Sequence, residues 1–224
     1  AATAPKGSVS IALEGAALGA EIHLLAHLRP DAQHRALVDR AITHLYATPA
    51  QLRLMLDGGG TPLPALRHLL VGGSKLDPTL RAALSTIAPE ADIREFYGAA
   101  EASFVTLTDA TTPDDSVGHP YPGVSLEIRS PEGTPLPSGA VGEVWVRSPY
   151  LCARYATRGL PPLRRQGWLS VGEMGWMENG ALHLAGRRGR MVTIADQNVF
   201  PEEIETFLLT LPGVTRAAVL PRPD

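Results

Sequence analysis

Residues 66–87 read LRHLLVGGSKLDPTLRAALSTI, and this stretch decides the fold class. Its first third is short and apolar, as a buried strand must be. Gly72-Gly73 then gives a tight turn, and Asp77-Pro78 supplies an N-cap followed by proline at the first helical position. The spacing predicts a strand over 66–71 and a helix over 79–87. The same order of elements recurs on both sides. Upstream, Thr43-His44-Leu45-Tyr46-Ala47 is strand-like, and Pro49 opens a helix through Leu56 that Gly58-Gly59-Gly60 closes. Downstream, residues 93–97 form another strand, ended by Gly98. Strands alternating with helices argue for an α/β fold with a mostly parallel sheet and crossover helices. Ligands in such sheets sit beyond the C-terminal ends of the strands, so the loops to watch are Gly72-Gly73-Ser74 and Gly98-Ala99-Ala100-Glu101.

Farther upstream the chain is rich in small apolar residues, Ile22-His23-Leu24-Leu25 reads as a short buried strand, and Asp31 can cap a helix over 32–40. After Pro113 the texture changes to short segments punctuated by glycine and proline. Strands are expected over 125–129, 142–147, 168–171, 176–177 and 181–184, the spacing of a small antiparallel barrel or sheet. A third region starts near Arg190, with a strand over 191–194, a helix from Pro201 through Leu211 and a strand over 214–220. The expected division is therefore 1–113, an α/β sheet; 114–188, a small antiparallel β subdomain; and 189–224, a hinge with the beginning of a small α+β domain.

Composition narrows the function classes. With 44% hydrophobic and 19% charged residues, the 224-residue chain can bury a sizeable core and is neither fibre nor tail. A net charge of -3 gives no electrostatic case for nucleic acid or an anionic membrane as partner. The one cysteine, Cys152, cannot close an intramolecular disulfide; it reads as a small buried residue and fits a cytoplasmic protein. No apolar run approaches the roughly 20 residues of a membrane span, and residues 1–7 lack a signal-peptide pattern. The start without Met, and the end on Pro221-Arg222-Pro223-Asp224 directly after an apolar stretch, are expected of a chain cut or processed at one or both ends.

Each motif alone has a plain structural reading beside a chemical one. Gly72-Gly73 marks where a backbone passes close to something flat or negative, and a strand-turn-helix without ligand explains it equally well; it is neither GxGxxG nor a GK[ST] phosphate loop. Tyr97-Gly98-Ala99-Ala100-Glu101 offers a ring that can stack on a purine and a carboxylate that can hold magnesium beside phosphates, or else a core tyrosine and a surface glutamate. Glu173 lies in a glycine-flanked turn between Trp168 and Trp176, where a carboxylate can accept from both hydroxyls of a ribose, or where a plain hairpin can sit. Gly186-Arg187-Arg188-Gly189-Arg190 is a solvated basic loop, or a phosphate or ribose contact through Arg187. His23 and His27 are four apart but lack cysteine or carboxylate partners for a metal, and Ser74 is not in a GxSxG elbow.

Taken in order, the motifs resemble the AMP-forming adenylating family of acyl-CoA synthetases, peptide-synthetase adenylation domains and luciferases. The resemblance covers nearly the whole chain. It runs from Leu69-Leu70-Val71-Gly72-Gly73-Ser74 through Tyr97-Gly98-Ala99-Ala100-Glu101, Gly118-His119-Pro120 and Pro122-Gly123 to Gly139-x-x-Gly142-Glu143-Val144-Trp145-Val146. It continues with Gly167-Trp168-Leu169, Gly186-Arg187 and Asn198-Val199-Phe200-Pro201-x-Glu203-Ile204-Glu205. The resemblance implies an acyl-CoA synthetase-like fold and a two-step ligase reaction. A carboxylate attacks the α-phosphate of ATP to give an acyl-adenylate and pyrophosphate, and a thiol, coenzyme A or the pantetheine of an acyl-carrier protein, then takes the acyl group and releases AMP. It implies binding of the nucleotide, ATP or AMP, by Gly72, Gly73, Ser74, Tyr97, Gly98, Ala99, Ala100, Glu173 and Arg187. It also implies Mg2+ on a catalytic Glu101, and an acyl pocket that includes Tyr46, Ala47 and Thr48 on the turn running to Gln51.

The sequence also departs from the family's pattern. Ala100 stands where the resemblance has an α-phosphate-binding threonine, Glu173 where it has aspartate, and Arg190 where the hinge has aspartate or lysine. Ala195-Asp196 replaces a glycine pair after the hinge strand. Thr3-Ala4-Pro5-Lys6-Gly7 echoes only the end of the family's phosphate loop, and neither lysine of the chain, Lys6 or Lys75, lies beyond the hinge. The chain by itself is therefore expected to be a poor catalyst, and the alternative is a non-catalytic relative that binds a nucleotide or acyl group.

Overall fold

The structure, a computed structural model, describes residues 15–25, 29–57, 60–153, 163–194, 197–209, 211, 213–214 and 216–220. The chain divides into two compact units, one ending at Ala100 and the other beginning at Glu101. Thr3 to Gly7 with Lys6, His27, Gly58, Gly59, Ala195, Asp196 and residues 221–224 lie outside the described residues.

The first unit is built as α1 (Pro30–Asp39), β1 (His44–Ala47), α2 (Pro49–Asp57), β2 (His68–Val71), α3 (Pro78–Ile87) and β3 (Asp92–Ala99). The strands pair in parallel in chain order, with Ala47 opposite Val71 and Val71 opposite Glu95. Side chains alternate across the sheet, so Ala47, Leu69 and Val71 are buried with Leu52, Met55, Leu80, Leu84 and Ile87 from the helices. On α3 those apolar residues fall at helical spacing, and the Asp77 carboxylate accepts the Leu80 N–H at 2.9 Å.

Three expectations for this unit are corrected. Residues 22–25 form no strand, and Ile22 and Leu24 are exposed; three apolar residues and a histidine without a neighbouring strand to bond have nothing to fix them as β. Helix α1 starts at Pro30 rather than beyond Asp31, with Arg29 at the N-cap and no side-chain cap. Proline presets the first helical φ, which leaves Asp31 inside the first turn, paired with Arg35 at 3.0 Å. Strand β3 continues through Gly98 to Ala99, so the turn falls at Ala100.

The second unit opens with β4 (Ser103–Leu107) and β5 (His119–Pro120), an antiparallel pair. It continues with β6 (Ser125–Arg129), β7 (Gly142–Arg147), β8 (Leu163–Arg165), β9 (Trp168–Glu178) and β10 (Ala181–Arg187). These make an antiparallel sheet in the order β10-β9-β7-β6, with β8 along β9. Val144, Val146, Leu169, Ala181 and Leu182 are fully buried within it. The Arg129 guanidinium lies 4.8 Å from the Trp145 ring centroid and 5.0 Å from that of Trp168. An antiparallel pair, β11 (Val192–Ile194) with β12 (Gln197–Val199), follows, then α4 (Pro201–Leu209).

The expected short strands over 168–171 and 176–177 are one strand, β9, so Glu173 does not sit in a hairpin turn. Trp145 pairs with Ser170 and Glu143 with Met174, which sets residues 171–173 opposite Val144 alone. A bulge thus does what a turn was expected to do. Helix α4 stops at Leu209, short of Leu211, and residues 216–220 form no strand. There the Val219 N–H donates to the Glu205 carboxylate at 2.8 Å instead of to a ladder. Cys152 is partly exposed rather than buried, with Arg164 donating to its carbonyl. Among the described residues no helix is long and apolar enough to cross a membrane.

Candidate functional site

The residues singled out in the sequence fall into two clusters, one in each unit. In the first, the parallel strands deliver Ala47, Val71 and Glu95 to one level, and the next residues along are Thr48, Gly72 and Phe96. Gly72 is buried, and a Cβ there would overlap the Phe96 ring. Gly73 has φ +95°, the left-handed region, and a Cβ on it would meet the Thr48 methyl at 3.3 Å. The glycine pair is therefore explained by the protein's own packing: one glycine admits an aromatic ring and the next turns the chain. Ser74 is exposed at the tip.

Tyr46, Ala47 and Thr48 adjoin this turn. The Tyr46 ring lies 5.8 Å from the Phe96 ring, and burial pushes its hydroxyl pKa up. Thr48 and Gln51 cap α2 reciprocally: the Gln51 N–H donates to Thr48 Oγ1 at 3.3 Å, and the Thr48 N–H donates to Gln51 Oε1 at 2.9 Å. Thr48-Pro49-Ala50-Gln51 carries that pattern openly in the sequence, where it could have been read. Tyr97, Gly98 and Ala99 lie in β3, with Tyr97 half-buried, and strand alternation turns Tyr97 away from the face that carries Phe96. Phe96 was missed because its chemistry lies in its contact with Gly72, which has no signature along the chain.

Glu101, first residue of the second unit, is half-buried, and its carbonyl accepts the Cys152 N–H at 2.8 Å. Among the described residues no three His, Cys, Asp or Glu side chains gather as a metal cage. A magnesium ion bound through phosphates and water needs only one carboxylate, so Glu101 fits that mode.

Glu173 and Arg187 are brought together. They are partners across β9 and β10, with Arg187 Nε 3.3 Å from Glu173 Oε1. The carboxylate side chain is 17% exposed and the guanidinium 73%, so the acid is held inside and the base reaches out. Burial raises the Glu173 pKa, the Arg187 charge opposes that rise, and the Glu202 carboxylate adds to it. Glu202, from the first turn of α4, is a component that sequence reading passed over. One of its oxygens accepts from Arg190 at 3.0 Å, and the other is buried near Gly186 without a hydrogen bond.

The basic loop is not a free patch. Arg187 faces Glu173, Arg188 reaches Glu143 at 2.9 Å, and Arg190 is held by Glu202 and by Glu205 at 2.7 Å. With each arginine matched to an acid, little field remains for a polyanion. His23 also finds an acid, Glu21 at 3.0 Å, contrary to the expectation that it had none nearby.

A model of the family described as AMP-binding enzyme matches residues 8–156. The chain is 31% identical over 211 residues to an uncharacterized acyl–CoA ligase, YhfT, of Bacillus subtilis, covering 92% of this chain and 43% of that protein. It is 34% identical over 202 residues to the fatty acid–[acyl-carrier-protein] ligase ScoC of Streptomyces coeruleorubidus, covering 83% and 38%. The fold matches that of the o-succinylbenzoate CoA synthetase MenE of Bacillus subtilis in complex with its acyl-adenylate intermediate, with TM-score 0.86 at 21% identity over 98% of this chain and 46% of that one. Other structures of that synthetase hold AMP, or ATP and a magnesium ion. The chain spans less than half the length of these relatives.

Proposed function

The chain belongs to the AMP-binding enzyme family, and from that premise we propose that the protein containing it activates a small-molecule carboxylate as an acyl-adenylate and passes the acyl group to a thiol. Relatives named as acyl–CoA and acyl-carrier-protein ligases support coenzyme A or a carrier pantetheine as acceptor. The observation that carries the reading is the Glu173–Arg187 pair, a shielded carboxylate beside an outward guanidinium on two paired strands.

Glu173 accepts from the ribose hydroxyls, and Arg187 orients that carboxylate while adding a donor of its own. Gly72, Gly73 and Ser74, with Tyr97, Gly98 and Ala99, provide backbone and a ring for adenine, and Ala100 adjoins the α-phosphate. Tyr46, Ala47 and Thr48 contribute to the acyl pocket, whose shape the Thr48–Gln51 cap keeps rigid. Glu101 holds magnesium, which when bound neutralises phosphate charge as the reacting oxygens come into line. The division into 1–113, 114–188 and 189–224, with a β-barrel-like middle part, belongs to this proposal.

The deciding measurement is carboxylate-dependent exchange of pyrophosphate into ATP by the full-length protein. Exchange with at least one acid of a broad panel is expected; none with any acid leaves the second reading, a nucleotide- or acyl-binding relative without turnover. That reading is favoured by Ala100, which offers no hydroxyl to the α-phosphate. Titration calorimetry with AMP and acyl-adenylate analogues tests binding by itself, and flat heats together with no thermal shift would remove nucleotide binding from the second reading.

A further inference from the structure

The bulge of β9 opposite Val144 ends at Glu173, the residue that pairs with Arg187 across β10, and it is tied down by Glu143, Ser170 and Arg188. Glu143 is buried on β7, and a single carboxylate oxygen accepts from Ser170 Oγ at 2.6 Å and from the Arg188 guanidinium at 2.9 Å. Ser170 Oγ in turn accepts the Gly172 N–H at 3.2 Å. The Gly172 carbonyl accepts the Arg188 backbone N–H at 2.9 Å. Both polar groups of Gly172 are thus engaged, one by each residue that donates to Glu143. Gly172 has φ +77°, and nothing lies within 4 Å of a Cβ built there, so its shape is imposed by these bonds and not by crowding.

The pinned residue directly precedes Glu173. Arg188, which pins it from the other side, directly follows Arg187. We infer that Glu143, Ser170 and Arg188 form a clamp whose task is to hold Glu173 and Arg187 in register for the ribose. Glu143 is a positioning residue: it touches neither member of that pair through any of these bonds and acts through the Gly172 peptide. Its charge matters because one oxygen receives two donors, an arrangement that an ionised carboxylate supports better than a neutral acceptor. The inference rests on the ribose role proposed for Glu173 and Arg187.

The test is calorimetric titration of the chain with AMP and with 2′,3′-dideoxy-AMP, which lacks the hydroxyls in question. Wild type is expected to favour AMP, and Glu173→Ala to erase that preference. Glu143→Ala is expected to cut the preference about tenfold, the worth of a hydrogen bond to a charged group, while leaving dideoxy-AMP affinity unchanged. Glu143→Gln, which keeps an acceptor oxygen for Ser170, is expected to restore most of the preference. If Glu143→Ala fails to fold, Arg188→Ala decides, since that side chain is 57% exposed; it is expected to reduce the preference in the same sense. Undiminished preference in the folded variants, or a parallel loss for both nucleotides, overturns the clamp while leaving the ribose reading intact. A wild type that does not distinguish the two nucleotides overturns the ribose reading itself, and the clamp with it.

Discussion

The two units carry their candidate residues by different physics. In the first, Gly72, Gly73, Thr48 and Phe96 are fixed by shape: a ring fills the space a Cβ would need, a left-handed turn follows, and a reciprocal cap closes a helix. In the second, Glu173, Arg187, Glu143, Arg188, Arg190, Glu202 and Glu205 are fixed by charge. A cluster set by shape fails abruptly when volume is added and is indifferent to pH. A cluster set by charge tolerates changes of volume and drifts with protonation.

The largest effect should come from adding volume in the first unit. Gly72→Val sets two methyls against Phe96 and should cost about 3 kcal/mol in urea unfolding. Pairing it with Phe96→Ala should recover much of that loss at the expense of a cavity. An unaltered unfolding midpoint for Gly72→Val would mean that the ring and the glycine are not coupled. Next comes Thr48→Ala, which removes one half of the cap on α2 and should cost about 1 kcal/mol. Neither loss should change between acid and neutral pH, which separates this unit from the other.

What could be read along the chain follows the same division. The parallel strands and α3 were legible because Asp77-Pro78 and the spacing of Leu80, Leu84 and Ile87 are local signals, and local signals lie in sequence order. Residues 22–25 and 216–220 are no strands because an apolar run becomes a strand only when another strand bonds to it, and that partner is not written in the run. Glu173 was singled out in the wrong local structure. Glycines on both sides suggest a turn, whereas only the pairing of Trp145 with Ser170 and Glu143 with Met174 reveals a bulge. The acid opposite Arg188 was invisible for the same reason, since Glu143 and Arg188 are 45 residues apart.

In the second unit the larger effect belongs to Arg190. Its guanidinium, with the Val219 N–H, holds the Glu205 carboxyl below the usual range. A depressed carboxylate stabilises the fold above its ordinary pKa, and that contribution is lost as pH falls through the depressed value. Arg190→Ala should therefore melt below wild type at neutral pH, with the gap closing as the solution becomes acidic. A gap that persists in acid would mean that Arg190 acts through packing of its stem.

The smallest effect, and the one of opposite sign, belongs to Glu173. Burial raises its carboxyl above the ordinary value in spite of Arg187. The associated stability is complete below the ordinary glutamate pKa and is lost as pH rises through the raised one, so burying this carboxylate burdens the free fold on the alkaline side of that window. Glu173→Gln should melt above wild type once pH has risen through that window, match wild type in acid, and bind AMP less tightly. Stability lost where binding groups are held ready is the expected signature of a site. A lower melting temperature for Glu173→Gln at neutral pH would instead mean that attraction to Arg187 outweighs burial, and that the pair braces β9 against β10 in the manner of an ordinary ion pair.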